Sequence, residues 1–218
     1  MSHPRDDSSD SPIGAPRAGQ GTPDESLRLG REERRALLGL GRRSITAAVR
    51  EGRRLRLPAG LPPSLLVHRA VFVTLRMAGA LRGCIGDLSP RGPLALAVVE
   101  NARAAALRDP RFSPVVAEEI CRLTLEVSVL GPSIPLAFAD PEDLLRRLTP
   151  RRDGVVLALD GKRATFLPQV WDKLPDPEAF LDQLARKAGA NPGAWRSPGV
   201  AVATYRVEAF SEDDPGDE

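Results

Sequence analysis

Between Arg31 and Glu51, Leu37, Leu38, Leu40, Ile45, Ala48 and Val49 recur at spacings of three and four, which predicts an amphipathic helix ending near Gly52. Pro58, Gly60, Pro62 and Pro63 then mark a loop. The pattern changes to β at Ala70-Val71-Phe72-Val73-Thr74-Leu75-Arg76, and Ala78-Gly79 separates this run from Ala80 to Ile85, so the two predict a hairpin. Pro93 suits the first turn of a helix that Leu94, Leu96, Ala97, Val98, Asn101, Ala102, Ala105 and Ala106 continue to Arg108, and Asp109-Pro110 stops it.

A short helix is expected near Val115 to Ile120. Strict alternation follows from Arg122 to Leu130, with Leu123, Leu125, Val127 and Val129 on one face of a strand and Thr124, Glu126 and Ser128 on the other. Asp140-Pro141 opens a helix through Leu148 by an N-cap and a proline at the first helical position. Asp160-Gly161 is a type I′ turn between strands at Gly154–Leu159 and Lys162–Leu167. Pro168 to Leu174 reads as one or two helical turns, Asp176-Pro177 opens a helix ending at Gly189, and Val200 to Phe210 reads as one strand. Hairpins interspersed with helices are not regular β-α-β alternation. They predict an α+β fold with mostly antiparallel sheet and flanking helices.

Composition narrows the class. At 218 residues and 42% hydrophobic the chain fits one compact unit, residues 27–210, between acidic tails at 1–26 and 211–218. The first tail is too poor in large apolar side chains to offset its ordering entropy. No apolar run reaches the ~20 residues of a membrane span and no secretory pattern opens the chain, so a cytoplasmic location is the default expectation. Two cysteines, Cys84 and Cys121, and two histidines, His3 and His68, offer neither a disulfide framework nor a zinc-ligand set, so no metal or cofactor is expected. The overall charge of +2 hides a body at +10, almost all arginine, with −3 and −5 on the tails. Such a body either attracts anions or simply solvates its helix faces.

Candidate chemistry centres on Leu81-Arg82-Gly83-Cys84-Ile85-Gly86, one thiol and one guanidinium between two glycines at a strand end. A hairpin turning about Ala78 sets Cys84 opposite Phe72 and, by alternation, Arg82 on the same face as Cys84. His68 then lies about 13 Å from Phe72 at ~3.3 Å per residue, too far to serve as a base. Glu126 with Thr124 and Ser128, and Arg163 with Thr165, form polar strand faces. Turned toward Cys84, they would make a pocket of cations and one carboxylate suited to an anionic ligand. A lone cysteine is more often buried packing, as Cys121 is expected to be, and Asn101 is either a helix-to-loop bond or a site residue. Gly83 to Gly86 also fits the G-x-x-G of a nucleic-acid-binding KH loop, but in the wrong context, and no aromatic-rich basic strand for stacking bases is evident.

Taken together, Val71-Phe72-Val73-Thr74-Leu75, the Leu81 to Gly86 segment, Asp109-Pro110-Arg111-Phe112, Glu126 to Leu130, Asp153-Gly154 and Ala164 to Trp171 resemble the AMMECR-type domain family, also called AmmeMemoRadiSam system protein A. The resemblance covers about residues 29 to 210. It implies a two-lobed α+β domain with the Arg-Gly-Cys-Ile-Gly segment lining a cleft, no established reaction, and a pathway shared with Memo-like and radical-SAM proteins as partners. By position Arg82, Gly83, Cys84, Gly86, Asp109, Arg111, Glu126, Ser128, Thr165 and Gln169 match the family's pattern. Two functions follow as expectations: binding or transformation of a small anionic ligand, with Cys84 and Glu126 as the reacting groups, or a non-enzymatic module that binds protein or nucleic acid through the basic body.

Overall fold

Helical periodicity between Arg31 and Glu51 becomes helix α1 (Arg31–Glu51), whose Gly52 cap takes the left-handed φ of 63° that a chiral residue resists. The structure, a computed structural model, describes residues 28–214; the expected tail at 1–26 lies outside them. Strands β1 (Val71–Met77) and β2 (Ala80–Gly86) form the expected hairpin, and helix α2 (Leu94–Leu107) follows with Pro93 as its cap. Next come β3 (Leu123–Leu130), the two-residue β4 (Ile134–Pro135), α3 (Pro141–Arg147), the hairpin β5 (Gly154–Leu159) and β6 (Lys162–Phe166), and α4 (Pro177–Lys187). Asp140 and Asp176 cap α3 and α4 by accepting from the backbone of Asp143 and Ala179. Asp160 and Gly161 both have positive φ, as a type I′ turn requires.

Two expectations change. The single strand foreseen over Val200 to Phe210 is two, β7 (Ala201–Tyr205) and β8 (Val207–Ser211), and they belong to different sheets. Each pairs with its own partner, β7 with β5 and β8 with β3, so the chain changes sheets at Arg206 with neither glycine nor proline to mark it. The helix expected near Val115 to Ile120 is a run of turns closed by a short 3-10 turn at Ile120–Arg122, and Cys121 within it is exposed rather than packed. The stretch between Pro114 and the start of β3 is only a few residues long, too short for α-helical bonds to offset the cost of nucleating a helix.

The result is an α+β fold with two antiparallel four-stranded sheets, ordered β2-β1-β3-β8 and β4-β7-β5-β6. Leu37, Ile45, Val98, Leu125 and Val127 pack α1 and α2 onto the first sheet, while Leu144, Leu157, Trp171, Phe180 and Trp195 form a second core on the other. A smaller cluster, Ala70, Leu130, Val156 and Tyr205, joins them. Asn101 is structural: its buried Nδ2 donates to the Val71 carbonyl at 3.0 Å and ties α2 to β1. Among the described residues no helix is long and apolar enough to cross a membrane. Ser211 completes β8, and Glu212 bonds Arg42 and the Leu125 amide.

Candidate functional site

The hairpin that carries Cys84 is registered differently from the alternation argument. Ala78 and Gly79 form a two-residue turn, both at positive φ, and the pairing then slips between Leu75 and Arg76. Leu75 faces Gly83 while Arg76 faces Leu81, which leaves Arg82 as the extra residue of a β-bulge. Cys84 therefore stands opposite Thr74, not Phe72, with Thr74 Oγ1 at 3.3 Å from its Sγ. A bulge breaks strict alternation, so Arg82 no longer follows Cys84. Its guanidinium makes two bonds to the Glu119 carboxylate, at 2.9 and 2.8 Å, and a third to the Ser113 carbonyl.

The backbone of Cys84 is held from outside the sheet. Its N–H donates to Asp109 Oδ2 at 2.8 Å, and its carbonyl accepts from Arg111 Nη2 at 3.3 Å. Asp109 in turn takes Arg111 Nε at 2.9 Å, Nη2 at 2.7 Å and the Arg111 backbone N–H at 3.1 Å. The guanidinium and these backbone donors hold the buried Asp109 carboxyl well below the usual carboxylate range. Asp109 and Arg111 thus act as a missing neighbour strand at the β2 edge, and their charges cancel each other.

Gly83 is required by packing: a Cβ there would lie 2.2 Å from the Ala105 carbonyl oxygen of α2. Gly86 is pressed against the Phe72 ring in the same way, with a would-be contact of 2.3 Å. Glu126 shares the face of Cys84, one strand beyond Thr74, so their Cα atoms are separated by two strand spacings, about 10 Å. Its carboxylate lies 3.4 Å from Arg76 Nε. Ser128 is buried farther along the same strand, opposite Phe72.

Arg163 and Thr165 are not brought to the thiol. They line a cleft of about 690 Å³ between the two sheets, together with His68, Arg69 and the apolar Ala70, Leu130 and Val156. Cys84 is not among its lining residues. Thr165 Oγ1 and Tyr205 Oη lie 3.0 Å apart at its wall, and burial pushes the Tyr205 hydroxyl up to about 12. Arg69 is half-desolvated, which lowers its pKa, and the fields of Glu208 and Glu33 oppose that shift. Arg163 makes no ion pair among the described residues. Next to this cleft, and sharing Leu88, Ser89 and Thr165 with it, a hollow of about 570 Å³ is lined by Gly86, Asp87, Arg91 and Lys187. Of the Leu81 to Gly86 segment, Gly86 lines this hollow and no residue lines the cleft. Gln169 lies elsewhere, in a third hollow beside Arg151, Arg152 and Arg206. Among the described residues no group of three His, Cys, Asp or Glu could hold a metal ion.

A model of the AMMECR1 family matches residues 38–210. The chain belongs to the AMMECR1 family. It is 39% identical over 186 residues to a protein of Methanothermobacter thermautotrophicus, covering 85% of this chain and 97% of that one. It is 40% identical to a protein of Thermococcus gammatolerans, covering 82% and 90%. The crystal structure of the uncharacterized protein PH0010 from Pyrococcus horikoshii superposes with a TM-score of 0.72 at 36% identity, over 81% of this chain and 90% of that one. The PH0010 structure carries the same fold as this chain.

Three contributors escape a reading of the sequence. Glu119, the partner of Arg82, sits 37 residues away and follows no motif. Arg69 and Tyr205 enter the cleft from segments that look like a loop and the middle of a strand. One signal for Tyr205 exists in Gly154 at a strand start, where a Cβ would meet the Tyr205 ring at 2.4 Å.

Proposed function

We propose that this AMMECR1-family protein is a binding protein for a small molecule that combines an anionic group with an apolar body, received in the cleft between the two sheets. The observation that carries the reading is the make-up of that cleft: Arg69, Arg163 and His68 with Ala70, Leu130 and Val156, and no carboxylate among its lining residues. Guanidinium groups form forked bonds to carboxylate or phosphate, and an apolar wall shields the rest of the ligand while strengthening those bonds. Thr165 and Tyr205 add hydroxyls that read the ligand's orientation. The Leu81 to Gly86 segment borders the neighbouring hollow through Gly86 rather than this cleft. Cys84 pairs with Thr74, six residues along the chain from His68 and about 20 Å away at ~3.3 Å per residue, so this reading gives the two no role as nucleophile and base.

Thermal unfolding with phenyl phosphate, benzoate and neutral benzamide, each at 10 mM, tests the proposal. A bound anion at 100 times its Kd stabilises by about 2.7 kcal/mol, which for a domain of this size raises Tm by roughly 5–10 °C. The expected result is such a rise with an anion, none with benzamide, and loss of the rise in Arg163→Ala. An unchanged rise in Arg163→Ala, or no rise with either anion, would overturn it.

A further inference from the structure

Strand β8 ends its sheet, and the alternation of antiparallel pairing shows which of its backbone groups face outward. The Gly131 N–H donates to the Arg206 carbonyl at 2.8 Å and the Glu212 N–H to the Leu125 carbonyl at 3.1 Å. Arg206, Glu208, Phe210 and Glu212 therefore direct their N–H and C=O toward β3. Val207, Ala209 and Ser211 direct theirs to the open side. Ser211 N–H is taken by Asp214 Oδ2 at 2.7 Å. Val207 and Ala209 carry no hydrogen bond there among the described residues. The other long edges differ: Asp109 and Arg111 occupy the Cys84 backbone in β2, and Lys187 Nζ donates to the Thr165 carbonyl in β6.

Two hollows, of about 470 and 300 Å³, share Arg206, Val207 and Ala209 in their linings. The larger adds Arg151, Arg152 and Gln169, with Asp172 as its carboxylate. The smaller adds Arg28, Arg34 and Arg69, with Glu208 as its carboxylate. Six arginines thus line the two hollows around one open strand edge: Arg34 pairs with Glu208, Arg151 with Asp172 and Arg206 with Asp153, while Arg28 and Arg152 make no ion pair among the described residues.

We propose that the β8 edge docks an extended acidic peptide segment of a partner protein, which adds a fifth strand to the first sheet. Main-chain bonds to Val207 and Ala209 supply register, and the arginines on the two hollows select aspartate and glutamate side chains. The outward groups repeat every second residue as donor and acceptor, which a peptide backbone matches and a sugar-phosphate backbone does not. Neither hollow contains an aromatic side chain on which a base would stack. This surface meets the anion cleft at Arg69 and Gly131, but its open backbone at Val207 and Ala209 and its Arg28 and Arg152 lie outside that cleft, and it stands whether or not the cleft binds a small molecule.

The test is fluorescence anisotropy of the full chain with a labelled twelve-residue peptide alternating valine with aspartate at low salt. The control probes are the same peptide N-methylated at alternate backbone amides, its lysine counterpart, and an oligothymidylate of equal length. Saturable binding is expected for the acidic peptide alone, weakened tenfold or more by N-methylation, by Ala209→Pro, and by Arg28→Glu with Arg152→Glu, and unchanged by Arg163→Ala. The N-methylated probe asks the backbone question on the unaltered protein, so the answer does not depend on Ala209→Pro folding. Equal affinity for the N-methylated peptide, equal affinity for the oligothymidylate, or no binding of the acidic peptide at low salt would each overturn the proposal.

Discussion

At the β2 edge every charge has its opposite close by: Arg82 is held by Glu119, and Arg111 by Asp109, with side-chain bonds of 2.7 to 2.9 Å. In the cleft between the sheets Arg69 and Arg163 line a wall without a carboxylate, and the acids that act on Arg69, Glu208 and Glu33, are not part of that lining. Both regions are arginine-rich, and both contain residues that match the family pattern, yet they spend their charge differently. Paired charges with directed hydrogen bonds hold backbone in place. Arginines on a concave, partly apolar wall are an invitation to an anion from outside. The contrast shows that a cluster of thiol, arginine and aspartate can be an edge-closing device, while a concave wall with arginines lies apart from it.

The largest effect that separates the two regions is expected from Asp109→Ala. It removes the acceptor of the Cys84 N–H and the partner of Arg111, and a cost of about 3 kcal/mol is expected by urea unfolding. The same carboxyl gives a pH signature. Its folded pKa is depressed, so its contribution is fully present above the unfolded value of about 4 and is lost as pH falls below it. The stability gap between the natural protein and Asp109→Asn should accordingly shrink between pH 5 and pH 3, as urea midpoints at the two values would show. A gap that widens on acidification would remove Asp109 from this role.

Gly83→Ala comes next, at about 2 kcal/mol, because its new methyl meets the backbone oxygen of Ala105 rather than a side chain that could move aside. Cys84→Ala should cost the least, below about 1 kcal/mol, since Asp109 and Arg111 grip backbone atoms that every residue possesses. Equilibrium unfolding measures both. The comparison breaks if Cys84→Ala abolishes ligand-induced stabilisation in the melting experiment while Arg163→Ala leaves it intact.

Much of the architecture was legible in the chain. The bounds of α1, the caps at Asp140 and Asp176 and the turn at Asp160-Gly161 follow from contacts between residues a few positions apart, where hydrophobic spacing and capping chemistry act directly. The candidate site was legible only in part. Alternation correctly set Glu126 and Ser128 on one face, but it could not see the bulge at Arg82. One extra residue in a strand shifts the register and changes what every later side chain meets.

The amino-acid sequence by itself determined the elements, the α+β class and the family, because periodicity, caps and turns are properties of short stretches of chain. Only the tertiary structure decided that Arg82 serves Glu119, that Val200 to Phe210 divides between two sheets, and that Arg163 faces a cleft apart from Cys84. Those outcomes depend on which distant segments come within hydrogen-bond reach, a distance of about 3 Å that separation along the chain does not encode.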